Sequence, residues 1–327
     1  MIRSVTTAPR LDLDVVFGLP VAETVAGYQD FARLVVDLGY RRLWMPETYR
    51  LDPISFGGWV ASTFPGHPVG LGPMPGVLRT GPQLAMAAAT LVGLGATDLE
   101  AIVGASSPAM VQGWHNRRPL TVAGMASLLA ATRAACDGAP TAHEDGEFRT
   151  SGFTNGFGAV RLPIGMASFG PRMLRLAGRI ADRVALNMIS PAAVPAFVAE
   201  IAEGARAAGR PTPPVTVWAH VCLDPTEENV TFSKRFLAGY VRVPGYDRNF
   251  ALQGFADVVE AAKAAPSARE VRALIPDELL VTALGFGSLA EIRARLDAYR
   301  EVGVGMAIVP STVSDPGAVR TMTALAR

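Results

Sequence analysis

Few side chains in this sequence are arranged to do chemistry unaided. The four histidines, His67, His115, His143 and His220, are scattered, and His143-Glu144 lacks the spacing of a zinc-binding HExxH helix. Cys136 and Cys222 lie far apart and form no CxxC pair, so neither a metal site nor a redox dithiol is expected. There is no Gly-x-Ser-x-Gly elbow, and no Ser/His/Asp set can be assembled. What remains is one acid, Glu47, followed by Thr48 and Tyr49, and several turns rich in hydroxyls and glycine, such as Gly104-Ala105-Ser106-Ser107 and Ser168-Phe169-Gly170. So sparse an acid–base set suits a protein that borrows a cofactor for the difficult step and itself supplies binding and orientation.

Those turns need a frame. Apolar runs of strand length alternate with helix-period segments from end to end. Strands are expected at 11–18, 41–47, 69–72, 99–104, 160–167, 183–187, 214–223 and 304–310. Helices are expected at 24–38, 56–62, 82–94, 120–136, 171–180, 192–208, 289–302 and 316–326, with Gly81 capping the third. The near-continuous apolar strands suit a parallel sheet covered on both faces. Eight βα repeats without a break in composition point to one (β/α)8 TIM barrel over residues 1–327. It carries an excursion at about 137–154, read as a small hairpin, and a helical insertion at about 227–283. The rival is an open doubly wound sheet, but Phe17-Gly18-Leu19-Pro20 is no dinucleotide turn. The stretch Gly70 to Gly76 misplaces its third glycine and puts two prolines where a phosphate cradle needs N–H groups. In a barrel, functional groups sit at the carboxyl ends of strands, where all the turns named above fall.

Composition narrows the partners. The 327 residues hold 30 Lys+Arg and 29 Asp+Glu, a formal net charge of +1, and no basic run longer than a pair. Nucleic acid and anionic membrane surfaces are therefore not expected partners. No apolar run reaches the roughly 18 residues of a membrane span. Residues 1–20 carry Asp12 and Asp14 within their apolar stretch and do not read as a secretory leader, so the cytoplasm is the expected compartment.

Two segments carry a family resemblance. Met166-Ala-Ser-Phe-Gly-Pro-Arg-Met-Leu-Arg-Leu-Ala-Gly-Arg-Ile-Ala-Asp182 and Gly39-Tyr-Arg-Arg-Leu-Trp-Met-Pro-Glu47 resemble signatures of the bacterial-luciferase-like superfamily. Weaker matches lie at 104–115, 240–250 and 287–309. The resemblance implies a (β/α)8 barrel, usually a homodimer, that binds FMN or the deazaflavin coenzyme F420 at its strand ends. The run 104–115 is most similar to the F420-dependent branch, in which hydride passes between F420 and a small organic substrate.

Carried over residue by residue, Ala167, Ser168, Phe169, Gly170, Pro171 and Arg172 would meet a cofactor phosphate at a helix N-terminus, where backbone N–H groups and the helix dipole favour anions. Asn187, Met188 and Ser190 resemble the other half of that site, although relatives sometimes carry Lys where Ser190 stands. Gly72, Pro73 and Met74 correspond to the bulge that backs the cofactor ring, with either the Gly72–Pro73 or the Met74–Pro75 peptide cis. Gly104, Ala105, Ser106 and Ser107 would face the ring's polar edge.

This chain also departs from the pattern. Thr48 stands where many relatives have His, and Ser107 where sugar-phosphate-oxidising relatives have an acid. Ala96-Thr97-Asp98 replaces Gly-Gly-Arg, and Arg183 replaces Gly. Sugar-phosphate oxidation is therefore not expected. Reduction of a C=C or C=N bond is, with Glu47, Thr48 and His115 as candidate catalytic residues and a water or Tyr as proton source. An FMN-dependent luciferase-like monooxygenase and a non-catalytic ligand-binding barrel are the alternatives.

Plainer roles stand beside these. Glu47 either takes part in chemistry or forms a structural ion pair with Arg50 or Arg42. His115 lines the mouth or sits on a surface loop, and Arg172 binds phosphate or is solvated. Ser106 and Ser107 either face a ligand or cap the next segment. His220 reads as a satisfied interior residue, and Trp44 and Trp218 as barrel wall. Tyr240, Tyr246 and Phe250 either cover a substrate or pack the insertion onto the barrel.

Overall fold

Neighbouring side chains on the strands go to opposite sides, as period-2 geometry requires. Val15, Leu43, Met45, Ala101, Val217 and Ile308 join the main core between strands and helices. Their neighbours Val16, Trp44, Ile102, Trp218, Ala307 and Val309 form a separate cluster inside the barrel. The computed structural model describes residues 11–327; residues 1–10, the first half of the segment read as non-secretory, lie outside the described residues.

The barrel strands are β1 (Asp14–Val16), β2 (Leu43–Met45), β3 (Pro68–Pro75), β4 (Thr97–Gly104), β5 (Ile164–Ala167), β6 (Val184–Asn187), β7 (Val215–Leu223) and β8 (Gly305–Pro310). All pair in parallel, β1 with both β2 and β8, and β6 with β7, so the sheet closes on itself. Helices α1 (Val25–Asp37), α2 (Pro53–Thr63), α3 (Gly81–Gly93), α4 (Val122–Cys136), α5 (Pro171–Ile180) and α6 (Val194–Ala207) connect the first seven strands. Five helices fill the insertion: α7 (Glu227–Ala238), α8 (Tyr246–Phe250), α9 (Ala256–Ala264), α10 (Ala268–Ala273) and α11 (Asp277–Leu284). Helices α12 (Leu289–Glu301) and α13 (Val319–Leu325) flank β8. The excursion is the expected hairpin, Ala142–His143 against Thr150–Ser151. The eight barrel strands thus fall where the sequence periodicity placed them.

Local differences have local causes. Strand β3 runs on to Pro75 instead of ending at Gly72, with a register irregularity between Leu71 and Met74. Gly72 has φ +102, and a Cβ there would lie 2.1 Å from the Ile102 carbonyl oxygen, so only glycine fits. The Gly72–Pro73 peptide is cis. Thr80, not Gly81, caps α3, in a reciprocal capping box with Gln83. A six-residue π turn, Ala109–Trp114, follows β4 where the sequence showed no element.

The amino end of the barrel is closed by charge. Glu100 on β4 accepts from Arg42 and, at 2.6 Å, from Arg183, which also reaches Thr216 at 2.8 Å. Asp14 accepts from Arg41 at 2.8 Å and from the Trp44 indole at 2.9 Å. Burial pushes the Glu100 carboxyl up, but the two guanidinium groups outweigh it and hold the carboxyl below its ordinary range. Arg42 pairs with Glu100 and with Asp98, far from Glu47.

Candidate active site

At the opposite, carboxyl end lies a cavity of about 1100 Å3. Its wall comes from the loops after β1, β2 and β4, from α7, from the segment 239–244 and from α10. One side is aromatic: Phe232, Phe236 and Tyr240 recur every four residues, with ring centroids 6.3 and 4.9 Å apart. Trp114 and Met110 extend the wall from the β4 side.

Glu47 is the one carboxylate on that wall among the described residues. Its partner is Arg79, neither Arg50 nor Arg42, and both side chains are only 14% exposed. Arg50 instead reaches Glu23 at 3.0 Å. Burial raises the Glu47 carboxyl above its ordinary range against the pull of Arg79, and Asp52 adds to the rise. The backbone N–H of Glu47 donates to the Pro73 carbonyl at 3.1 Å, tying the β2 loop to the β3 bulge. Thr48 lines the cavity, and its hydroxyl accepts from the Arg50 N–H at 3.2 Å. His115 is exposed and off the cavity wall, where its neighbour Trp114 stands instead.

The residues assigned to a cofactor divide. Ser168 is buried, and its hydroxyl has no hydrogen-bond partner. It sits just before α5, whose N-cap Gly170 makes no side-chain capping bond and has open space where a Cβ would be. An orphaned hydroxyl beside uncapped N–H groups fits a phosphate. Phe169 packs its ring against Tyr246 at 4.5 Å, and Arg172 is exposed. Ala167 and Pro73 are half-buried, and Gly72 and Gly104 are buried.

The other half of the expected phosphate site is already satisfied from within. Gln253 accepts from the Ser190 N–H at 2.7 Å and donates to the Met188 carbonyl at 2.9 Å, and Asn249 donates to that carbonyl at 3.1 Å. Met74 and Met188 send their side chains into the cores. The Ser107 hydroxyl accepts from the Met110 N–H at 3.3 Å and so caps the π turn, while that of Ser106 points to the Met110 sulfur at 3.2 Å. Of this loop, Ser107 reaches the cavity wall; Ala105 is half-buried beside it.

One arrangement was not legible in the sequence. His220 Nε2 lies 2.9 Å from Asn187 Oδ1, and Asn187 Nδ2 donates to the Tyr246 hydroxyl at 2.9 Å. Burial lowers the His220 imidazole to about 3, with Arg295 adding to the effect, so the ring is neutral and Nε2–H donates. The chain fixes the Asn187 amide and leaves the Tyr246 proton free to point elsewhere. It also shows that Tyr246 and Phe250 pack the insertion onto β6 and β7, while Tyr240 lines the cavity. Histidine in mid-strand was the only signal available beforehand.

A closed (β/α)8 barrel with a cavity at its carboxyl end is the frame on which barrel enzymes build their active sites. The chain belongs to the luciferase-like monooxygenase family, whose family model matches residues 10–305. That membership agrees with the expectation of an oxidoreductase that uses F420 or a flavin. A 5,10-methylenetetrahydromethanopterin reductase of Methanolobus tindarius is 24% identical over 216 residues. The match covers 64% of this chain and 65%, just under two thirds, of that relative. A solved F420-dependent secondary alcohol dehydrogenase, in complex with an F420-acetone adduct, superposes with TM-score 0.75 at 13% identity, covering 97% of this chain and 98% of the other. The oxygenating constituent of 3,6-diketocamphane monooxygenase from Pseudomonas putida, in complex with FMN, gives 0.65 at 15% identity, covering 97% of each chain. These two likenesses establish the fold. No helix of the described residues is long and apolar enough to cross a membrane.

Proposed function

We propose that this chain is an F420-dependent oxidoreductase that passes hydride between the deazaflavin and a small organic substrate, reducing an activated C=C or C=N bond. The observation that carries the reading is the cavity: about 1100 Å3 at the carboxyl ends of the strands, with Glu47 as its one carboxylate. That volume accommodates a planar ring system together with a substrate. Among the described residues no group of three or more His, Cys, Asp or Glu is placed to hold a metal ion. The F420-dependent alcohol dehydrogenase superposes more closely, at 0.75, than the FMN-bound monooxygenase constituent, at 0.65, and this supports F420 over FMN.

Ser168 and the first turn of α5 would hold the cofactor's phosphate, and the β3 bulge at Gly72, Pro73 and Met74 would support its ring. F420, when bound, supplies the hydride. The chain's own residues do the rest. Glu47, its carboxyl raised by burial, keeps a proton to higher pH than an ordinary glutamate and delivers it to the atom left negative by hydride addition. Arg79 holds that carboxyl in place and balances the carboxylate charge left when the proton leaves.

The test is anaerobic turnover. Reduced F420 mixed with the enzyme and an enone such as 2-cyclohexenone, or a cyclic imine, should recover the visible absorbance of oxidised F420 only when enzyme and substrate are both present. Oxygen uptake with reduced FMN, and no oxidation of reduced F420, would instead establish the monooxygenase reading, which the FMN-bound neighbour favours.

A further inference from the structure

We propose that the substrate of this cavity is an organic polyanion, an apolar body bearing at least two carboxylate or phosphate charges, and that four arginines of the insertion select it. Arg235 on α7, Arg242 on the following segment, and Arg269 and Arg272 on α10 all line the cavity. None of the four forms an ion pair with a carboxylate of the described residues. The acids close by are engaged elsewhere: Asp247 and Glu260 with Lys263, Glu270 with the Ser267 hydroxyl, and Glu47 with Arg79. Arg242 reaches only the Ala265 carbonyl, at 3.4 Å, and Arg235 lies 5.9 Å from the centre of the Phe232 ring. Both contacts position a guanidinium without neutralising it.

An exposed arginine is ordinarily just solvated. Three features set this group apart. The chain as a whole is nearly neutral, at +1, so four unanswered cations in one place are not a general excess. Arg269 and Arg272 stand three residues apart on one helix face, a like-charge spacing that weakens the helix unless an anion bridges it. And the four border a concavity whose other wall is aromatic, so the field is focused by low-dielectric surroundings. Guanidinium forks match carboxylate and phosphate oxygens in pairs. Ring stacking on Phe232, Phe236 or Trp114 would take the uncharged body, with the anionic end towards α10. One negative charge would leave most of the arginines unanswered, hence at least two.

The inference rests on the cavity being the reaction site, but its test needs no cofactor. Cofactor-free full-length protein is titrated with citrate as a probe polyanion, and with acetate at matched ionic strength. Tryptophan fluorescence is the readout, because Trp114 lines the same cavity, and W114F should abolish the signal. Citrate should bind far more tightly than acetate, and the double variant R269Q/R272Q should weaken citrate by roughly tenfold or more. The exposed Arg206→Gln, off the wall, should change nothing, and matching thermal melts would show that the variants are folded. Citrate binding no tighter than acetate, or equal citrate binding by the double variant, overturns the proposal. A parallel titration with F420 locates the charge. Unchanged F420 affinity in the double variant supports substrate selection, whereas a matching loss assigns the arginines to the cofactor and also overturns it. If citrate binds but neither F420 nor FMN does, the anion site stands and the hydride-transfer reading falls.

Discussion

Glu47 and His220 are both ionisable groups at the carboxyl end of the barrel, and burial sends them to opposite uses. Glu47 is raised and faces a cavity, so it holds a proton within reach of a ligand. Replacing it with Gln should lower kcat/KM by roughly a hundredfold and erase the decline in activity that the wild type shows as pH rises through the elevated Glu47 value. A pH–rate profile of both proteins checks this. His220 is lowered to about 3 and spends its N–H on Asn187. The unfolded chain takes up a proton near 6.5 that the fold refuses, so His220 favours the native state above that pH and opposes it as pH falls below. Between pH 7 and 5 the wild type should lose about 2 kcal/mol more stability than H220Q, as measured by urea unfolding. Glu47 could be found in advance because an acid just past a predicted strand stands out. Its partner could not: Arg79 lies 32 residues on, and only the folding of the β2 and β3 loops against each other brings the two together.

Among the elements, strands and helices were legible because two simple periods mark them, and the barrel's alternation of inner and outer side chains follows from the same pattern. What lies across elements was not. The Glu100 cluster joins β2, β4 and β6 through side chains that look on the page like charges stranded in apolar runs. Glu100→Gln should destabilise the protein by about 3 kcal/mol, since half-buried Arg183 would lose its counter-charge and buried Arg42 would keep only Asp98. Thermal unfolding measures it, and a loss near zero would mean that solvent reaches the barrel floor. The insertion teaches the same lesson. Its helical character was evident, yet Gln253, 63 residues beyond Ser190, takes the backbone N–H that the family resemblance had offered to a phosphate. Spacing along a chain does not reveal a polar side chain folding back from an insertion. On the proposed function, the cofactor's phosphate would therefore depend on the β5 side, at Ser168 and α5.

At the scale of the whole molecule, a closed barrel puts every loop that matters on one rim. The loops after β1, β2 and β4 and the insertion enclose the cavity. The cavity offers shape, an aromatic wall and one carboxylate. On the proposed function a cofactor completes it. The identity of that cofactor is therefore the central claim, and equilibrium titration of the purified protein with F420 and with FMN tests it most directly. F420 should bind at least about tenfold more tightly than FMN, with Ser168→Ala weakening it severalfold. Micromolar binding of FMN with no measurable binding of F420 would contradict the account.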